Sequence, residues 1–206
     1  QDYSPVQYRV IQKLYPCNKT ILGDIYQSVD PYGSSTADII QKTFVTGKVM
    51  KLCKSYRSTY EIVELAQKVR LNDELEPVAR HGEHPRIIGY GSREEELAGI
   101  TALISSFKTT GYKSLGIICK TEALAKKTSE LLKTGPSDIH LLTRYSTAFV
   151  NGIVVTPAHV SKGLEFDEVL IPDVDEALYS RAWDRNLLYV ACTRAMHRLT
   201  LTCAGH

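Results

Sequence analysis

Short apolar runs alternating with stretches of helical periodicity constrain this chain more than any other feature. Runs of strand length lie at 20–22, 49–53, 86–90, 114–119, 152–156, 168–172 and 199–203. Between them, apolar residues recur at helical spacing. The stretch 59–71 carries Ile62, Val63, Leu65, Ala66 and Val69 on such a period. The stretch 92–107 opens on Ser92 with Glu95 three residues later, a pattern that caps the free amides of a helix start. Two more helices are predicted over 122–132 and 184–196. Strands alternating with helices join through right-handed crossovers, which make the strands parallel and cover both faces of the sheet. The spacing therefore predicts an α/β fold with a mostly parallel sheet between helical layers. Such sheets bind ligands beyond the carboxyl ends of their strands, so chemistry is expected there.

Composition excludes several classes. With 206 residues there is room for one core, or for one domain and part of another. A net charge of +2 is no general basic excess, so any contact with nucleic acid must be local. Cys17, Cys53, Cys119, Cys192 and Cys203 are scattered, without the paired spacing of a zinc site or a disulfide framework. They read as reduced, mostly buried thiols. No run approaches the roughly twenty apolar residues of a membrane span. The opening QDYSPVQ lacks the pattern of a signal peptide, so a soluble cytoplasmic protein is expected. The histidines of HGEH (81–84) lack partner ligands at suitable spacing and read as a solvated loop, and no metal site is predicted. No G-x-S-x-G elbow supports hydrolase chemistry.

Four segments carry the remaining chemistry, each at a strand end: LGDIYQS (22–28), CKSYRST (53–59), HVSKGLEFD (159–167) and LLYVACTRA (187–195), the last placed inside the final helix. Arg57, Lys162 and Arg194 thereby converge on one sheet edge, and three cations at strand ends suit an anion such as phosphate. Singly, each has a plain alternative: a surface pair, a turn or a helix-surface ion pair worth little.

In this order and spacing the segments resemble the C-terminal motifs of the UvrD/Rep-like superfamily 1 helicases. GDIYQS is similar to motif III, SYRS to motif IV, KGLEFD to motif V and YVACTRA to motif VI. The resemblance covers most of the chain. It implies RecA-like domains of the P-loop NTPase type, three layers α/β/α, with ATP and Mg2+ bound in the cleft between two of them. The sequence contains no G-x-x-x-x-G-K-S/T phosphate loop. Gln1-Asp2 resembles the tail of motif II, followed by its helix, so both ATP and Mg2+ are expected to require an N-terminal half. Residues 1–47 are expected to be the last part of a first RecA-like domain, and 48–206 the whole of a second.

Roles follow from the resemblance residue by residue. Gln27 is implied to sense the γ-phosphate, Tyr56 to stack on adenine, Arg57 to reach the γ-phosphate and Glu165 to accept from the ribose. Arg194 is implied to be the arginine finger, which in phosphoryl transfer is worth about a thousandfold or more in turnover. Lys162 and Gly163 fall beside the nucleotide cleft, and His159 near the DNA backbone; for His159 a packed ring bonded to backbone is an equal alternative. Where the family pattern continues with an aromatic and an arginine, this chain has VDPYGSS: Tyr32 still offers a base a stacking face, worth about 1–3 kcal/mol, but Gly33 stands near the arginine's place.

About a hundred residues separate SYRS from KGLEFD, too few for the helical insertion of the longer UvrD-type enzymes. Serine precedes KGLEF where the family pattern has alanine. These traits are similar to the HelD-like branch, which acts on RNA polymerase. Three readings stay open: an ATP-driven translocase or helicase on single-stranded DNA, an ATPase that remodels RNA polymerase, and a non-catalytic interaction module. The chain alone is expected to turn over no ATP and to bind single strands weakly.

Overall fold

A computed structural model describes residues 3–27, 37–72, 74–77, 79–133, 138–146 and 151–205. The chain divides into two compact units, Gln1–Cys53 and Lys54–His206.

In the first unit, α1 (Pro5–Leu14) starts at a complete capping box. Ser4 Oγ accepts from the Gln7 amide at 3.3 Å, and Gln7 Oε1 accepts from the Ser4 amide at 2.7 Å. Gln12 Nε2 donates to the carbonyl of Thr43 at the end of α2 (Ala37–Thr43), at 2.6 Å. Tyr8 is buried edge-on against Tyr3 and Phe44. Run 20–22 does not form a strand: no neighbouring strand among the described residues offers it a ladder.

In the second unit, β1 (Lys54–Ser55) and β2 (Glu76–Pro77) form a short parallel pair on either side of α3 (Tyr60–Val69). Run 49–53 is therefore not itself a strand; the ladder begins just after it. The main sheet has six parallel strands in the order β3-β8-β7-β4-β6-β5. They are β3 (Arg86–Tyr90), β4 (Ser114–Cys119), β5 (Ile139–Leu141), β6 (Gly152–Pro157), β7 (Phe166–Ile171) and β8 (Ala195–Ala204). The α/β, mostly parallel expectation holds. Three helices complete the unit: α4 (Arg93–Phe107), α5 (Glu122–Leu132) and α6 (Ala182–Cys192).

Crossover handedness assigns the layers. The steps β3-α4-β4 and β4-α5-β5 run one way along the sheet and β7-α6-β8 runs the other, so right-handed connections put α6 on the opposite face from α4 and α5. Packing agrees. Ile100, Ile104 and Phe107 of α4 and Ala125 and Leu132 of α5 share one core with Leu115, Ile117 and Cys119 of β4. On the other face Gly116 is required: a Cβ there would stand 2.5 Å from the ring of fully buried Phe166. Ser92 caps α4 as predicted, accepting from the Glu95 amide at 3.2 Å, but the Glu95 carboxylate takes the Gly91 amide instead of closing the box on Ser92.

Two corrections bear on the site. The last helix ends at Cys192, and β8 starts at Ala195, so Arg194 lies in the turn between them and not inside a helix. Apolar periodicity runs through this switch unchanged, which hid it in the sequence. All five cysteines are free, but only Cys119 and Cys192 are buried; their thiols are pushed up to about 12 by burial. Among the described residues no helix is long and apolar enough to cross a membrane.

Candidate functional site

The cationic residues gather at the amino edge of β7 and β8. The sequence put the motif segments after strands, but Glu165 and Arg194 stand just before strands β7 and β8. Glu165 immediately precedes β7 and Arg194 immediately precedes β8, whose first residues pair as Phe166 with Ala195. The Phe166 amide donates to the Arg194 carbonyl at 3.0 Å, so the two connections are zipped together where the strands begin.

Arg57 joins this edge from the loop before α3. Its Nε lies 2.5 Å from Glu165 Oε1, with both side chains more than a third exposed. Ser58 is buried and its Oγ donates to the Ala195 carbonyl at 2.7 Å, fastening the loop to β8. The neighbouring Tyr56 ring is 70% exposed and offers an open face. Arg194 differs in kind: it is only 1% exposed. Its Nε donates to the Val190 carbonyl at 3.0 Å, Nη2 to Thr193 Oγ1 at 3.1 Å and Nη1 to the Leu164 carbonyl at 3.4 Å.

Asp167, the last residue of KGLEFD, anchors the edge to β4. Burial opposes its ionisation, but the amides of Lys113 and Ser114 and the Ser114 hydroxyl all donate to Oδ2 and hold the carboxyl below its usual range.

HGEH (81–84), read from the sequence as a solvated loop, is exposed at all four residues, yet Arg80, His81, Gly82 and Glu83 make specific bonds. Arg80 donates from Nη1 to the Arg57 carbonyl at 3.0 Å, and from Nη2 to the Met196 carbonyl and His197 Nδ1, each at 2.9 Å. His81 Nδ1 lies 2.8 Å from Glu61 Oε1, and the Gly82 amide donates to Glu61 Oε2 at 2.9 Å. Arg198 Nε donates to Glu83 Oε1 at 2.7 Å. No metal-ligating group of three or more His, Cys, Asp or Glu occurs among the described residues.

The carboxyl edge holds ion pairs. Lys120, after β4, pairs with Asp184 of α6 at 2.6 Å. Arg93 pairs with fully buried Glu96 at 2.6 Å and also with Asp173, which follows β7 in a left-handed conformation (φ 58°). Burial pushes the Asp173 carboxyl up while Arg93 opposes it. His159, after β6, lies at this end, away from Arg57 and Arg194. Its partly buried ring is pushed toward the neutral form by desolvation and by Arg144, with Glu122 opposing.

The remaining candidates divide. Lys162 and Gly163 sit in the turn that carries the chain from β6 to β7, with Gly163 left-handed at φ 83°. Gln27 lies in the first unit, in the 3-10 turn Ile25–Gln27, where its Nε2 donates to Asp24 Oδ2 at 2.8 Å. Tyr32 lies outside the described residues. The second unit thus brings together Arg57, Glu165 and Arg194, with Tyr56 alongside. An exposed ring beside a cation whose partner is exchangeable can take a flat heterocycle bearing phosphate.

Residues 152–202, from β6 into β8, match the family described as UvrD-like helicase C-terminal domain. The C-terminal domain of a possible DNA helicase from Lactobacillus plantarum WCFS1 is similar in structure, with a TM-score of 0.63 and 28% sequence identity over 73% of this chain and 88% of that one. Arterivirus nonstructural protein 10, a helicase solved with DNA, aligns at 14% identity over 58% of this chain and 28% of that one, with a TM-score of 0.40. No curated protein matches the chain.

Proposed function

We propose that the chain, which is similar to UvrD-like helicase C-terminal domains, is the motor half that completes an ATP site in a DNA helicase or single-stranded DNA translocase. The observation that carries this reading is the pairing of Arg57 with Glu165 beside Arg194 at the amino edge of β7 and β8.

An ion pair as exposed as Arg57–Glu165 is worth about 0.2–1 kcal/mol. A phosphate oxygen can therefore take Arg57 from Glu165 at small cost. Arg57 then bonds the γ-phosphate, Glu165 is freed to accept from a ribose hydroxyl, and Tyr56 stacks on the base. A phosphate loop and Mg2+ ligands, which these 206 residues do not contain, would come from a separate nucleotide-binding domain, and Gln27 is the candidate γ-phosphate sensor of the first unit. Mg2+ would neutralise charge on the phosphates when bound.

Arg194 supplies the finger by swinging its planar guanidinium as one unit, which releases the 3.0 Å bond to Val190 as well as the longer 3.4 Å bond to Leu164. Alternating closure around ATP moves the strand, with Tyr32 and His159 as candidate DNA contacts and Lys162 and Gly163 as candidate nucleotide contacts.

The test is ATP turnover by the full-length protein with and without single-stranded DNA, using this chain alone as the blank. Strong stimulation by DNA supports the translocase. Turnover indifferent to DNA sinks it in favour of a HelD-like ATPase acting on RNA polymerase, and absence of turnover under all conditions favours an interaction module.

A further inference from the structure

We propose that Arg80 is a positioning residue for the nucleotide site: it clamps the Tyr56–Arg57 loop onto the start of β8 and so fixes Arg57 relative to Arg194. This rests on the reading that Arg57 bonds phosphate, and it adds a residue that none of the four motif segments contains.

The geometry is a three-way staple. One guanidinium donates to the Arg57 carbonyl, the Met196 carbonyl and His197 Nδ1, all between 2.9 and 3.0 Å. Arg57 and Met196 are far apart in sequence, and each lies within two residues of a site cation or is one. A planar fork holds its donors in fixed directions toward acceptors on two chain segments, a geometry that lysine's single ammonium nitrogen does not reproduce. No carboxylate among the described residues pairs with Arg80, so its hydrogen bonds, not an ion pair, define its place.

Arg80 is itself held from behind. Its own carbonyl accepts from the Tyr60 amide at 2.9 Å. His81 and Gly82 converge on Glu61, in the first turn of α3. Gly82 is packed so closely on Thr59 that a Cβ would stand 2.6 Å from its methyl. The bond to His197 needs an unprotonated Nδ1, and the ring is fixed in plane by stacking on Tyr112 at 5.0 Å and 18°. Arg80 thus reaches the loop from a rigid base, as a preorganised site requires.

The test has two arms. In this chain, amide hydrogen exchange is compared between wild type and Arg80→Met. The expected result is at least about tenfold faster exchange at Tyr60, whose amide donates to the Arg80 carbonyl, with β4 and β6 unchanged, since local opening costs less than global unfolding. Unchanged exchange at Tyr60 overturns the proposal. If β4 and β6 also accelerate, Arg80→Lys decides the matter by the same criterion.

In the full-length ATPase, Arg80→Met is expected to lower kcat by about ten- to a hundredfold, the scale of a small misplacement of a catalytic group. The double variant Arg57→Ala/Arg80→Met should fall no further than Arg57→Ala alone, because Arg80 acts through Arg57. Multiplying losses would mean a general structural defect and overturn the proposal. An Arg57→Ala variant with normal turnover would instead refute the nucleotide-site reading, leaving the exchange result to judge the clamp by itself.

Discussion

Arg194 is both the candidate finger and one of the largest fully buried side chains of the chain, so its substitution must be judged first on folding. Arg194→Ala removes a side chain at 1% exposure and leaves the Val190 and Leu164 carbonyls without this donor. Truncating a large buried side chain to alanine costs about 2–5 kcal/mol. Lost bonds to a charged donor add about 1.5–3 kcal/mol. Against this, removing a buried guanidinium recovers several kcal/mol of desolvation.

The balance is about 3 kcal/mol for alanine, dominated by the cavity. Arg194→Met keeps most of the stem volume and should cost about 1 kcal/mol. At about 2–4 °C per kcal/mol for a domain of this size, alanine lowers Tm by about 6–12 °C and methionine by about 2–4 °C. Urea unfolding and calorimetry on this chain measure both. Equal losses for the two variants would refute the cavity argument, and a loss under about 1 kcal/mol for alanine would refute the burial of Arg194. Arg194→Met is consequently the variant to use in turnover assays, where it should abolish the finger while the fold survives.

Two further substitutions probe the frame. Gly116→Ala places a Cβ 2.5 Å from the Phe166 ring, and overpacking of this kind costs about 1–3 kcal/mol, read by urea midpoint; a neutral result would mean that β4 and β7 can separate. Glu61, held down to about 2 first by its bond to His81, stabilises the fold above its ordinary range, and that contribution is lost as pH falls from about 4.5 toward 2. The stability gap between wild type and Glu61→Gln should therefore narrow over that window, and a gap that stays constant with pH would contradict the His81–Glu61 contact.

Much of this was legible in the sequence, for identifiable reasons. Strand β4 is apolar along its length and buried on both faces, so SLGIIC reads as central strand without ambiguity. Helices α3, α4 and α5 follow the apolar period, and Ser92 marks its start. The motif residues Arg57 and Glu165 pair, and Arg194 precedes the strand that ladders onto the one Glu165 precedes.

The edge on which they meet was misread, because Thr193 and Arg194 switch helix into strand while the apolar spacing continues through Ala195. The bonds made from the exposed loop around Gly82 were missed for a different reason. Arg80, His81 and Glu83 contact residues 20 to 117 positions away, and no local pattern records such pairings. A sequence signal existed only in hindsight: four polar residues packed around Gly82, whose lack of a Cβ lets it lie against Thr59.

The most direct test of the nucleotide-site claim is steady-state ATP turnover by the full-length protein carrying Arg57→Ala, with single-stranded DNA present. Arg57 is exposed enough that its loss costs little stability, so turnover reports on the site. A fall in kcat of about a hundredfold or more, with Tm within about 2 °C of wild type, is the predicted result. Wild-type kcat in a folded variant would contradict the account, because the ion pair at the amino edge of β7 and β8 would then have no part in phosphoryl transfer.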